Sequence, residues 1–228
     1  MNALIACEES QAVCIEFRKR GHEAFSCDIL SCSGGHPEWH IMADIINVIK
    51  GGWLFTESGE TVFIDKWDIM IGFPPCTYIT VTGARWMYNK DGSINKEREQ
   101  NQKDGIAFFM SLMESPIDKI ALENPIGVLS SLYRKPDQII QPYYFGDEAQ
   151  KTTCLWLKNL PPLYHNDKPN LFDSNVTHVY KGDDVMTSTG KTFSKWYWET
   201  SRGSGKERAM RRSKTFPGIA KAMAEQWG

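Results

Sequence analysis

In "IGFPPCTYIT", residues 71–80, a cysteine follows two prolines at the end of an apolar run. Pro74 and Pro75 fix φ and remove two backbone donors, so the segment cannot continue a central strand. The chain must leave the sheet there, and it presents Cys76 on a stiff stem. That position is wrong for a core residue and right for a nucleophile. A second apolar run, "KIALENP", ends in Glu123 and Asn124. A carboxyl group so placed is expected in the same crevice as Cys76. Asp28 ends a third apolar stretch, about twenty residues after the first turn. An acid there hydrogen-bonds ribose hydroxyls in nucleotide-binding βαβ units.

Such side chains need strands to carry them. "NALIA" predicts a buried strand, "SQAVCIEFRKRG" a helix stopped at Gly21, and "HEAFSCDI" a second strand. Together they form a βαβ unit. "ADIINVIK" reads as a short helix and "GGWLFTESGETVFIDKWD" as a hairpin turning at "SGE". "WDIMIGF" is the strand before the proline pair. "KEREQNQKDGIAFFMSLMES" is a long helix, with Ile106, Phe109, Met110 and Met113 on one stripe. "DKIALENP" and "KTTCLWLKNLPPL" are further strands, and "PGIAKAMAEQWG" is a closing helix with Pro217 at its start. Residues 164–206 show little periodicity and read as a loop-rich excursion. Alternating strands and helices predict an α/β fold with a mostly parallel sheet and helices on both faces. Ligands bind such sheets beyond the carboxyl ends of the strands. That edge collects Cys7, Glu8, Glu9, Asp28, Asp44, Pro74–Cys76 and Glu123–Pro125.

Composition excludes other classes. The chain has 228 residues, 41% hydrophobic and 24% charged, with a net charge of −2. That is enough for one large domain. No apolar run is long enough for a membrane span. "MNALIACEES" lacks the basic start and long apolar core of a signal peptide, so a cytoplasmic protein is expected. The six cysteines lack framework spacing and read as free thiols. Cys27, Cys32, His36 and His40 lie within fourteen residues, but the spacing fits no common zinc finger and no metal is expected. From Lys191 to Lys214 there are eight Lys/Arg against two Glu, interleaved with Trp196, Tyr197 and Trp198. That mixture suits a phosphate backbone and stacked bases.

The motifs "GFPPCTYIT" and "ALENP", each after an apolar strand and in this order, resemble those of DNA cytosine methyltransferases acting at carbon 5. "ACEESQAV", "GHEAFSCDI" and "HIMAD" resemble the family's cofactor half, and "RRSKTFPGIAKAMAEQWG" its closing region, in the manner of compact phage or prophage members. The likeness covers most of the chain apart from roughly 164–206. It implies one Rossmann-like methyltransferase domain over residues 1–228, with 164–206 as a small recognition segment. It implies S-adenosylmethionine as cofactor, held by Cys7, Glu8, Glu9, Asp28, Ile29, Asp44 and Pro74. Asp28 would accept from ribose hydroxyls and Asp44 from the adenine amino group. It implies Cys76 as nucleophile toward carbon 6, Glu123 as the carboxyl group at N3, and Asn124 as a loop holder or base-edge contact. Duplex DNA with a flipped cytosine is the implied substrate. Lys151, Lys191, Lys195, Arg202, Lys206, Arg208 and Arg211 are expected on the nucleic acid. Self-protection of a phage genome, or restriction and modification, is the implied setting.

Three departures stand out. The first turn, "CEESQAV", has two glutamates and no glycine, and one glutamate is expected to meet the cofactor's positive groups. Gln150 and Lys151 stand where the family has an arginine-rich pair, leaving Lys151 a phosphate contact. The recognition segment is short, which predicts few base-edge contacts. Amino-group methyltransferases are disfavoured, because Phe73 precedes and Cys76 follows the proline pair where they have an acid or Asn and an aromatic. Methylation of tRNA cytosine, and a non-catalytic DNA-binding decoy, remain as alternatives.

Overall fold

The computed structural model describes residues 1–165 and 180–228. Its strands are β1 (Asn2–Ala6), β2 (Glu23–Asp28), β3 (His40–Met42), β4 (Gly52–Phe55), β5 (Thr61–Ile64), β6 (Ile69–Gly72), β7 (Lys119–Pro125), β8 (Gln138–Ile140), β9 (Thr153–Lys158), β10 (Asp184–Met186) and β11 (Thr192–Ser194). Its α-helices are α1 (Ala12–Lys19), α2 (Ile45–Val48), α3 (Lys96–Met113), α4 (Leu129–Leu132), α5 (Lys195–Thr200), α6 (Gly205–Ser213) and α7 (Pro217–Trp227).

Seven strands form one sheet in the order β3-β2-β1-β6-β7-β9-β8. β3 through β7 pair in parallel, whereas β9 runs antiparallel between β7 and β8. This is the Rossmann-like α/β fold the sequence implies, with its order reversing between β1 and β6. Alternation along the strands divides the core in two. Leu4, Phe25, Met70, Leu122 and Trp156 face Phe109 and Leu112 of α3. Ile5, Ile71 and Leu155 face Phe17 of α1 and Met223 and Trp227 of α7 on the other side. The α3 stripe differs from expectation: Leu112 is buried with Phe109 and Met113, while Ile106 and Met110 are half-buried. Among the described residues, no helix is long and apolar enough to cross a membrane.

Register delivers the strand ends together. Ala6 pairs with Cys27 on one side and Gly72 on the other, and Gly72 pairs with Leu122. Cys7, Asp28, Phe73 and Glu123 therefore emerge along one edge. The expected loop-rich excursion is more ordered than its composition suggests. Its described part holds the β10–β11 hairpin and helix α5, whose N-cap Ser194 accepts from Tyr197 N. Residues 166–179 of that segment lie outside the described residues.

Candidate active site

A cavity of about 630 Å³ opens at this edge. Cys7, Glu9, Asp28, Ile29, Asp44 and Cys76 line it, as the sequence predicts. Asp28 Oδ1 accepts from Leu30 N at 3.0 Å, and Asp44 Oδ1 caps α2 by accepting from Ile46 N at 3.0 Å. Both acids are thereby aimed by their own loops. Burial raises the Asp28 carboxyl above its ordinary value. Ile29 is 75% exposed and offers an aliphatic face at the cavity rim.

The glycine-poor first turn is explained by its backbone. Cys7 has φ of 57° and Gln11 has φ of 59°, so two non-glycine residues hold the left-handed conformation that glycine adopts without strain. Glu8 compensates in part. Its Oε1 accepts from Val13 N at 2.8 Å and its Oε2 from Cys14 N at 3.2 Å. The carboxyl group thus takes the place of an N-cap on α1, where Gln11 makes no side-chain cap. The sequence leaves open which glutamate meets positive groups of a cofactor, and the backbone bonds of Glu8 bear on that choice. Its carboxyl is buried and bonded to the helix end, although Glu8, like Glu9, lines the cavity.

Burial, with Glu9 adding to it, pushes the Glu8 carboxyl from 4.5 up to about 8 against the pull of the two backbone bonds. A raised folded-state value for an acid means that the native chain binds more protons than the unfolded chain between these limits. Stability then falls as pH rises through that window. Glu8→Gln is expected to flatten this fall. Denaturation midpoints of both proteins at pH 5 and pH 8 measure it, and equal slopes would place the titration elsewhere.

The Pro-Pro-Cys loop is tied down on both sides. Ile79 N and Thr80 N both donate to Cys76 O, at 3.1 and 3.0 Å. Asn124, 1% exposed, donates from Nδ2 to Pro74 O at 2.9 Å. Of the two roles expected of Asn124, this geometry supports the loop holder. Pro74 is itself a correction: it is buried with its carbonyl turned to Asn124, and Phe73 and Pro75 line the cavity instead. The loop after β7 completes the lacing, since Val81 N donates to Ile126 O and Val128 N to Ile79 O. Gly127 is required at that crossing, because a Cβ there would lie 2.0 Å from Ile79 O. Gly127→Ala is expected to cost about 2 kcal/mol, the scale of overpacking a tight site. Thermal unfolding reads this, and an unchanged midpoint would show that the two loops move freely past each other.

Glu123 does not share the wall of the large cavity, contrary to expectation. It lies in an adjoining pocket of about 10 Å³ lined by Phe73, Lys151, Thr153, Ser213 and Thr215. Phe73, Ser213 and Thr215 border both spaces. The two groups still feel each other. Burial raises the half-buried Cys76 thiol most, the Glu123 charge raises it further, and Lys151 lowers it. The thiol is therefore held protonated in the free protein. Glu123 Oε1 is buried without a hydrogen-bond partner, 3.9 Å from Lys151 Nζ. Lys151 is a further correction. It turns inward and donates to Arg212 O at 3.1 Å, rather than offering itself to a phosphate.

The remaining predicted cations run from Lys191, just before β11, to Arg211 in α6. Lys191, Lys195, Arg202, Arg208 and Arg211 are exposed, and Lys206 stands in α6. Arg202 lies over Trp198, Arg208 donates to Gly203 O, and Arg211 donates to Arg202 O. The aromatics among them pack on protein: Trp196 lies tilted against Phe216, Tyr197 stacks on Phe193, and the Arg212 guanidinium lies 4.5 Å from the Tyr197 ring centroid. Of the cysteine–histidine group, Cys27 lines the cavity, His36 pairs with Glu38, and His40 bonds Ser26 Oγ and Leu30 O. Sequence reasoning missed Phe108 and the segment Arg212–Thr215 as cavity walls. The basic run that contains Arg212 and Lys214 was the available signal.

No protein-family profile matches the chain, and no curated protein matches it. Among solved structures it resembles a candidate DNA modification methyltransferase encoded within a prophage of E. coli, at 14% identity and a TM-score of 0.39. The alignment covers 69% of this chain and 46% of that one, so the chain spans less than half the length of that structure.

Proposed function

We propose that the protein methylates carbon 5 of cytosine in DNA through a covalent bond from Cys76 to carbon 6. The observation that supports this most is the half-buried thiol on the cavity wall, under the electrostatic influence of a carboxyl group on the neighbouring strand. The cavity suits S-adenosylmethionine in size and chemistry. Asp28 and Asp44 each give an oxygen to a backbone N–H and have acceptor capacity to spare for ribose hydroxyls and an adenine amino group. When bound, the cofactor supplies an electrophilic methyl group.

The chain's own residues supply the rest. The prolines and Asn124 hold Cys76 so that its sulfur meets carbon 6 with little orientational entropy to lose. The thiolate adds there, and the electron pair of the carbon 5–carbon 6 bond makes carbon 5 nucleophilic. Glu123 holds a proton at N3, relieving the charge built up by addition. Carbon 5 would take the methyl group, its proton would then pass to water, and elimination would break the carbon–sulfur bond, restore the carbon 5–carbon 6 double bond and free the thiolate. Reaching carbon 6 requires the cytosine to be flipped out of the duplex. Residues 164–206 then serve as the recognition segment of a single domain, with Lys191, Lys195, Lys206 and the exposed arginines toward phosphates. Such a protein works where DNA is, in a host cytoplasm.

Incubation with labelled cofactor and either duplex DNA or tRNA tests the reading. Label at carbon 5 of DNA cytosine is expected. Label in tRNA alone would move the substrate to RNA. Absence of both label and cofactor binding would leave a non-catalytic DNA-binding protein.

A further inference from the structure

Lys151 precedes β9 and reaches across the boundary between the two cavities. Its Nζ donates to Arg212 O at 3.1 Å and lies 3.9 Å from Glu123 Oε1. Arg212 begins the segment Arg212–Thr215, which lines the large cavity. Ser213 and Thr215 of that segment also wall the Glu123 pocket. With about 10 Å³ inside, that pocket cannot take a pyrimidine ring as it stands. Both side chains of the pair are largely buried, 20% exposed for Lys151 and 14% for Glu123. An ammonium in such a place is costly unless it is paired, and so is the carboxylate facing it. One side chain therefore balances the acid and fastens the wall that closes over it.

We propose that Lys151 is a positioning residue that neutralises Glu123 beside Cys76 and latches the Arg212–Thr215 segment across the base pocket. The role given to Glu123 rests on the reading above. The latch itself stands on the geometry of the free protein. Admitting a base to Glu123 then requires the Lys151–Arg212 bond to break. This frees the ammonium at the moment a ring arrives between the acid and the thiol.

Other charged groups surround Cys76. Glu8 and Glu9 approach from the β1–α1 turn and Asp28 and Asp44 from across the cavity, while Arg212 and Lys214 come from the segment after α6. Glu123 and Lys151 are the two that act on the thiol. Loss of Lys151 leaves Glu123 and burial unopposed, which disfavours the thiolate. It also loosens the wall.

The test is alkylation of Cys76 by iodoacetamide in the full chain without cofactor or nucleic acid, followed by peptide mapping across pH. Lys151→Met is expected to slow alkylation at pH 8 by about threefold or more, since the rate follows the thiolate fraction. It is also expected to raise the plateau reached at high pH, because the wall opens. Lys151→Arg, which keeps the charge, should restore the wild-type profile and guards against a mere failure to fold. In a Glu123→Gln background the Lys151→Met slowing should shrink. A Lys151→Met profile equal to wild type, or a Lys151→Arg profile equal to Lys151→Met, would overturn the proposal. These readouts involve no methyl transfer, so they separate failure of the latch from failure of the methyltransferase reading.

Discussion

Replacing Cys76 with serine is expected to lower methyl transfer to duplex DNA by roughly a thousandfold or more, about 4 kcal/mol of barrier. The proposed reaction begins with addition of an anion to carbon 6. A serine hydroxyl ionises far less readily than a thiol, so little of the attacking anion would form. The fold should be unaffected. Cys76 is only half-buried, and the loop is held by Asn124 and by backbone bonds rather than by sulfur. Cofactor binding, proposed for the Asp28–Asp44 side of the cavity, should persist. The wild-type rate should also climb with pH through the neutral range, because burial and then Glu123 hold the thiol above its ordinary value. Labelled-cofactor transfer and cofactor binding measured side by side check this. Retention of transfer by Cys76→Ser would remove the thiol from the mechanism.

Glu123→Gln is expected to reduce transfer by about a hundredfold, the scale of losing one proton-transfer group. The amide keeps the shape but cannot hold a proton at N3 and then yield it. The same substitution removes the negative charge that raises the Cys76 thiol. Alkylation of Cys76 in the free protein should therefore become faster while catalysis becomes slower. Opposite movement of the two readouts distinguishes loss of a chemical role from local collapse, which would impair both. Unchanged transfer would mean that Glu123 serves only as the partner of Lys151.

The fold was readable wherever a local signal was strong. Continuous apolar runs ending in Asp28, in Pro74–Cys76 and in Glu123–Asn124 marked three strands and the edge they share. The sequence could not show that β9 inserts between β7 and β8, because strand order is decided by packing across the whole sheet. Nor could it show that the Arg212–Thr215 segment returns to wall both cavities, more than 130 residues from Cys76 in the chain. The capping by Glu8 was not legible for a physical reason: its carboxyl serves a helix terminus, a role usually filled by the residue beside the helix rather than one several positions earlier. Lys151 was misjudged because a lysine in sequence looks solvated, and only the buried carboxylate opposite draws it inward. The missing glycines at Cys7 and Gln11 concealed a backbone that adopts the glycine-like conformation all the same.

The most direct test is covalent trapping on duplex DNA carrying 5-fluorocytosine, in the presence of S-adenosylmethionine. Fluorine cannot leave carbon 5 as a proton does, so the carbon–sulfur bond should persist. The account predicts a stable adduct whose proteolytic fragment carries the nucleotide on Cys76. An adduct on another residue, or cofactor-dependent methylation of ordinary DNA without any trapped species, would contradict it.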